Sequence, residues 1–494
     1  MSVPVPVEEN TFTVPGPPPV PILGPIGNLV QLTRDPIKYM GQLFKTYGPV
    51  ASLAAGGRSR VFSTRSDCPG TVFVYGPELA REVEIQHDVY HKSALTGTLY
   101  PTGEVSRRKQ PLLEYATGLF SVNDDEHRRH RRLLAPAFHK RRIEAYLGDM
   151  VRITEEELSG WKPGERRNIH NDMMQLTLRI ATKTLFGEDL QDTVRLGEAL
   201  QDSLKLVLAR GTILLPYDVP GLPYHRFLNV VKKINSGIRD IIALKSAKAK
   251  NGDDIISMLL ETRDEDDTRL TESEIVGHAT VIFAAGHETS SNALTWTLFL
   301  LSQHPQFAAE LLEELDALLH GATPSLEQLS QLPLLESTIK ESLRLIPPVP
   351  WNSRLAAAPT ELGGHHLPRH TEVIVSIYHT HHMPELYERP DDFNPHRWAN
   401  IERDAFEFNP FGGGPRMCIG APFAMMEMKI VLAIMLQRYR LEFIPGTAVN
   451  RLVGFTTSMK PGLPMVVCKQ DRQFDRGVGG VRGNVNEMVN LSPL

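Results

Sequence analysis

Cysteine is scarce in this 494-residue sequence, which has three: Cys68, Cys418 and Cys468. Odd in number and far apart, they fit neither a disulfide framework nor a paired zinc motif, so a reducing, cytoplasmic setting is expected. Long apolar runs are missing too. No stretch of about 18 or more apolar residues occurs, and a soluble protein without a membrane anchor is expected. The start, Met1-Ser2-Val3-Pro4 followed by Glu8 and Glu9, lacks the basic segment and apolar run of a secretory signal. Charge of one sign is not in excess either. A net charge of −5 with 22% charged residues carries no electrostatic footprint for nucleic acid.

What is present suits a globular chain with a large core: hydrophobic residues make up 41%. Val14 to Pro25 reads VPGPPPVPILGP, and six of its twelve residues are proline, so it is expected to be extended. Helical periodicity covers Asp125 to Tyr146, Asp172 to Leu185, Ile275 to Leu301, Phe307 to Leu319, Leu335 to Leu345 and Ala421 to Tyr439. Strand-like runs are few: Thr71 to Tyr75, Val373 to Tyr378 and Met465 to Val467. The fold class expected is mainly α with small β-sheets. Three parts are expected: an extended proline-rich segment over 1–30, a single domain over 31–470, and a poorly ordered tail over 471–494. That tail is rich in Gly, Asn and Arg with little apolar periodicity. Its GVGGVRG run has the wrong spacing for a dinucleotide loop and too little chain after it.

Thr271 followed by Glu274 is a capping-box pattern, and Pro305 is a stop signal. Roughly 30 residues at 1.5 Å each make a rod of about 45 Å, enough to cross a domain. The polar cluster His287-Glu288-Thr289 lies in its middle, where burial is costly unless the groups are paired or functional.

Phe411 to Gly420 reads FGGGPRMCIG. Its glycines, Gly412 among them, permit tight turns and close approach of backbone to a flat ligand. Cys418 precedes a helix start, where backbone N–H groups and the macrodipole favour a thiolate. Arg416 is placed to reach an anionic group. The ordinary alternative for Cys418 is a buried thiol on a glycine-rich loop.

The pattern Phe-x-x-Gly-x-Arg-x-Cys-x-Gly resembles the haem-binding signature of the cytochrome P-450 superfamily, and every fixed position matches. Further motifs extend the resemblance over about Pro15 to Lys469. Ala285-Gly286-His287-Glu288-Thr289 resembles the family's oxygen-activation motif. Glu341 and Arg344 match its Glu-x-x-Arg, and Phe393-Asn394-Pro395-His396-Arg397-Trp398 resembles the segment whose arginine completes a charge triad. The resemblance implies the family fold, with a long central helix over a buried haem b, iron protoporphyrin IX. Cys418 would be the iron ligand, donating electron density that favours O–O cleavage. Arg416, His127, Arg131, Arg354 and Lys92 would meet the haem propionates, with Phe411 and Gly412 in the ligand loop. Thr289 and Glu288 would steer protons to dioxygen. Ala285, Val349 and Phe455 would line an apolar pocket, along with parts of the 93–122 and 204–227 segments. Ordinary alternatives exist for each: a solvated charge for Lys92, a surface ion pair for Glu341 and Arg344, a self-bonded helical Thr for Thr289.

By that resemblance the chain is a monomeric monooxygenase. It would insert one atom of O2 into a small apolar substrate by hydroxylation or epoxidation. Electrons would come from NAD(P)H through a ferredoxin or flavodoxin and its reductase, since no part of the sequence reads as a flavin or iron–sulfur module. Arg128, Arg129, Arg132, Lys140, Arg141 and Arg142 are expected to dock an acidic redox partner. Three other readings remain: a reductase-independent haem-thiolate peroxygenase or isomerase, a non-enzymatic haem sensor, and a helical interaction protein without haem.

Overall fold

The structure, a computed structural model, describes residues 12–63, 65–92, 105–115, 117–187, 191–207, 209, 211–212, 215–248 and 252–491. It is mainly α, about 52% helical. A helix over Glu272–Gln303 runs through the core. Thr271 Oγ1 accepts the Glu274 N–H at 3.2 Å, and the Glu274 carboxylate accepts the Thr271 N–H at 2.6 Å, closing the expected capping box. Pro305 ends the rod by opening the next helix, Pro305–Leu319, where its missing N–H would be unpaired anyway. From Ser290 to Leu301 the rod is buried on every side, because it packs among the helices Ile169–Phe186, Pro333–Leu345 and Ala421–Arg438. This explains why its second half shows no polar stripe.

A five-stranded sheet stands beside the helical core, in the order 50–52, 71–74, 372–376, 351–356, 90–91. Val72 pairs with Val373 in parallel, and Ser353 pairs with Ile374 antiparallel. The strand Glu372–Ser376 is therefore central and wholly buried, and its near-continuous apolar run follows.

Several expected boundaries move. The run Asp125 to Tyr146 is broken: Pro136 lies in a 3-10 turn, Ala135–Phe138, between the helices Asp124–Leu134 and Lys140–Ser159, as a residue without an N–H requires. The strand expected to reach Tyr378 ends at Ser376, whose hydroxyl caps the short helix Ile377–His381. The helix Pro25–Arg34 begins inside the segment expected to be extended. The largest correction is the tail. Val485, Met488 and Val489 are buried in the main core, Arg440 holds Asp471 at 2.6 Å, and Asn490 donates to Asp392 at 2.7 Å. A few well-placed apolar residues and side-chain bonds anchor this segment in place of a periodic helix.

Candidate functional site

The Phe411–Gly420 loop is shaped by what its glycines avoid. Gly412 and Gly414 have φ of 70° and 63°, a region L side chains rarely adopt. A Cβ on Gly413 would lie 2.8 Å from Glu84 Oε2, and one on Gly414 would lie 2.5 Å from the Glu84 carbonyl. The loop is thus pressed onto the end of the helix Pro77–Ile85. The Cys418 N–H donates to the Phe411 carbonyl at 2.8 Å and closes the loop. The Cys418 side chain is accessible, yet burial is the largest influence on its thiol and pushes its pKa up. The two agree for a sulfur that faces an interior cavity. The N–H groups of Gly420 and Ala421 and the Arg131 guanidinium act against that rise and favour a thiolate.

Around this cavity four basic side chains, Lys92, Arg131, Arg354 and Arg416, and the His127 ring crowd one another. Burial is the largest influence on each, and it lowers all five. Lys92 is pushed well below the usual lysine range, with Arg354 and Arg416 adding to the effect. His127 is lowered to about 3 with help from Arg416 and Arg131, and Arg416 to about 10 with help from Arg354 and Arg131. Arg354 and Arg131 are lowered as well. Their hydrogen bonds go to neutral oxygens. Arg416 donates to Val122 O and Asn123 Oδ1, each at 2.6 Å, and Arg354 donates to Ser353 O at 2.9 Å. Lys92 Nζ reaches the same Ser353 carbonyl at 3.4 Å. Glu84 faces Lys92 and Arg354, and Asp124 faces Arg416 but also pairs with His91 at 3.1 Å. Buried Arg416 Nε and His127 Nδ1 have no partner among the described residues. Cations left this short of negative charge fit a ligand that brings two carboxylates. The donor set therefore fits haem, with the cysteine sulfur on the iron side and the cations on the propionate side.

The motif of the long helix faces open space. A Cβ on Gly286 would meet nothing within 4 Å. Thr289 Oγ1 donates to the Ala285 carbonyl at 2.6 Å, fixing the hydroxyl on that helix face. Glu288 is held from outside the helix, since its Oε1 accepts the Thr456 hydroxyl at 2.7 Å. His287 turns away into the core. Its Nδ1 faces the Phe283 carbonyl at 3.2 Å, and burial lowers its pKa to about 4. The Thr457 N–H donates to Pro348 O at 2.8 Å, which brings the segments of Val349 and Phe455 together.

Glu341, Arg344 and Arg397 converge as a buried cluster. Arg344 grips Glu341 in a two-point contact, Nε to Oε2 at 3.0 Å and Nη2 to Oε1 at 2.9 Å. Arg397 Nε reaches Oε1 at 2.8 Å. Two donors were not foreseen: Trp398 Nε1 at 2.9 Å and the Asn394 N–H at 3.1 Å. With five donors on one carboxylate the desolvation cost is largely offset. The reading of Glu341 and Arg344 as a surface pair is excluded, since both are fully buried.

The basic stretch forms ion pairs within the chain. Arg128 bonds Asp125 and His87, Arg129 bonds Glu274 at 3.0 Å, Arg132 bonds Asp264, and Arg142 bonds Asp253 at 2.9 Å. Arg128, Arg132 and Arg142 nevertheless keep 58%, 52% and 40% of their side chains exposed. Much of the expected pocket wall, residues 93–104, 116, 208, 210 and 213–214 with the side chain of Leu204, lies outside the described residues. Glu84, Asn123, His381 and Thr456 also join the site. No sequence signal marked these contacts, because each joins residues more than twenty-five positions apart in the chain.

A thiol-presenting loop, a ring of unbalanced cations and a long helix facing open space define a class: proteins built to hold an anionic macrocycle through sulfur. The family comparison makes this particular. The cytochrome P450 family model matches residues 14–468, and the chain belongs to that family, an oxygen-incorporating oxidoreductase with a haem-thiolate centre. Cyclooctatin synthase of Streptomyces melanosporofaciens is 31% identical over 86% of this chain and 89% of its own. Pentalenene oxygenase of Streptomyces avermitilis is 30% identical over 92% of this chain and 97% of its own. Among solved structures, the retinoic acid bound cyanobacterial CYP120A1 superposes with a TM-score of 0.79 at 23% identity, covering 93% of this chain and all of that one; this likeness speaks for the fold. No helix among the described residues is long and apolar enough to cross a membrane.

Proposed function

We propose that the chain is a monooxygenase that holds haem b through Cys418 and oxidises a polycyclic hydrocarbon skeleton of the terpene kind. The observation that carries the haem assignment is the ring of Lys92, His127, Arg131, Arg354 and Arg416, short of carboxylates and set beside the cysteine loop. The substrate class rests on relatives named for cyclooctatin and pentalenene and on the apolar side chains of Ala285, Val349 and Phe455.

The bound haem supplies dioxygen binding and the oxidising equivalent. The chain does the rest. Gly420 and Ala421 N–H groups moderate charge on the Cys418 sulfur. Lys92, Arg131, Arg354 and Arg416, with the His127 ring, would hold the two propionates and fix the macrocycle's orientation. Thr289 holds a proton at Oγ1 on the cavity face, and Glu288, tethered by Thr456, resupplies it from the rim. Ala285, Val349 and Phe455 exclude water from the substrate side. Electrons enter from NAD(P)H through a separate ferredoxin or flavodoxin and its reductase, and the exposed basic face of Arg128, Arg132, Lys140 and Arg141 favours an acidic partner.

The test is a screen of polycyclic terpene hydrocarbons and alcohols for a spin-state shift of the purified haem protein. Turnover with a surrogate ferredoxin and reductase follows. A shift with product formation supports the reading. Haem incorporation without oxidation of any such compound, while a different substrate class turns over, would overturn the terpene assignment.

A further inference from the structure

The Phe62 ring stands in the middle of an aromatic group. It stacks on Phe455 with centroids 6.1 Å apart and an interplanar angle of 23°, and it faces Trp351 at 6.4 Å. All three rings are half-buried. Their neighbours in the chain show where the group sits. Trp351 opens the strand that carries Arg354 into the cation ring. Phe455 precedes Thr456, whose hydroxyl holds Glu288 on the long helix. The aromatic group therefore joins the strand that leads to Arg354 with the segment tied to Glu288 of the long helix.

Phe62 lies in the irregular connection between the strands Val50–Ser52 and Thr71–Val74, so something other than a strand ladder must hold it. That is Glu372. Its carboxylate accepts the N–H groups of Val61, Phe62 and Ser63 at 2.9, 2.9 and 2.7 Å, and the Thr71 hydroxyl at 2.5 Å. Glu372 is 1% exposed and stands on the central strand of the sheet. Trp351 is at the far end of the same strand pair, opposite Ser376. Four donors on one buried carboxylate make a rigid mount, so the sheet sets the position of Phe62 relative to Trp351.

We propose that Phe62, Trp351 and Phe455 clamp the end of the substrate remote from the reacting carbon, and that Glu372 is the positioning residue that holds the clamp in register. Rings of this size favour flat or fused apolar frameworks through area and edge contacts. The clamp narrows the substrate to molecules long enough to reach from the oxidation site to the rings. It rests on the haem-thiolate reading above.

Azoles that bind ferric haem through nitrogen test it with two probes on the holoenzyme. Imidazole is too short to meet the clamp, whereas clotrimazole carries three aryl rings away from the iron. Phe62→Ala is expected to weaken clotrimazole about tenfold while leaving imidazole within about twofold. A tenfold change corresponds to about 1.4 kcal/mol. Glu372→Gln presents an amide N–H to one of the backbone donors. It is expected to weaken clotrimazole at least threefold, with no added loss in the double variant, as residues acting through one another require. Thr71→Val removes a single donor and serves if Glu372→Gln does not fold. An unchanged clotrimazole-to-imidazole ratio in Phe62→Ala, with normal Soret shifts, overturns the clamp alone. Absence of any azole-induced Soret shift in the wild type overturns the clamp together with the haem reading.

Discussion

The Asn409 backbone N–H donates to Nε2 of His381 at 3.0 Å, while Nδ1 of the same ring faces the Arg344 carbonyl at 3.2 Å. Nε2 therefore accepts and Nδ1 donates, which fixes a neutral tautomer. Burial and the neighbouring Arg344 agree with this by lowering the His381 pKa to about 3. Arg344 is bound to Glu341, and Asn409 stands two residues before Phe411. The imidazole is thus the mechanical link between the charge cluster and the loop that presents Cys418. Replacing His381 with Leu leaves the Asn409 N–H unpaired, at a cost of about 1–3 kcal/mol. The expected result is a faster loss of thiolate-type absorbance on warming, read from the reduced carbonyl spectrum. An unchanged rate would separate the two regions.

Glu341→Gln removes the charge that faces both Arg344 and Arg397 in a fully buried setting. Breaking such a cluster from one side costs about 3–5 kcal/mol. The unfolding midpoint in urea should fall accordingly, with the slope unchanged.

The cation ring makes a prediction with two signs. Without a dianion, Arg354 sits buried with its pKa lowered by desolvation, and it lowers those of Lys92 and Arg416. Arg354→Leu should therefore stabilise the haem-free chain while weakening haem binding about tenfold. Thermal melts of the apo form and haem transfer to apomyoglobin measure the two effects. Stability and haem retention falling together would contradict the account.

Thr289→Ala removes the hydroxyl held at the Ala285 carbonyl. Haem content should be unchanged, while reducing equivalents pass to peroxide or water in place of product. Peroxide yield per NAD(P)H consumed is the measurement. Wild-type coupling in this variant would remove Thr289 from proton delivery.

Acid should destabilise the fold from about pH 6.5 downward. His278 and His381 are lowered to about 3, and His287 and His379 to about 4, with burial the largest cause in each. A histidine depressed in the folded state contributes stability that is full above its unfolded pKa. That stability fades as pH falls toward the folded value, by up to about 1.4 kcal/mol per pH unit for each group. Carboxyls that burial raises, Glu427 to about 8 and Glu84 and Glu372 among the others, work the other way above their unfolded values, but His127, His170, His304 and His382 are lowered as well and add to the four. Melting temperature followed from pH 8 to pH 5 should drop below 6.5. A flat profile would mean these rings are not held neutral.

The sequence showed most of the site but little of its support. The cysteine loop, the Glu341–Arg344 spacing and the capping box at Thr271 were legible because each is a local pattern whose chemistry lies within ten residues. Glu84, His381, Glu372 and Phe62 were not, because each gains its role from a contact across the sheet or from a distant loop. The tail was misread for a related reason. Val485, Met488 and Val489 are too few to give a period, yet each fills a place in a core built by the rest of the chain. Met488→Ala should cost about 2–5 kcal/mol, as truncation of a buried Met does. The ion pairs of the basic stretch were not legible either, because the partners of Arg129 and Arg132, Glu274 and Asp264, lie more than a hundred residues away.

The most direct measurement is the absorbance of the purified, dithionite-reduced protein under carbon monoxide, compared between wild type and Cys418→Ser. The account predicts the red-shifted Soret band of sulfur-ligated haem in the wild type and its loss in the serine variant. A wild type without that band, or a serine variant that keeps it, would contradict the assignment of Cys418 as the haem ligand.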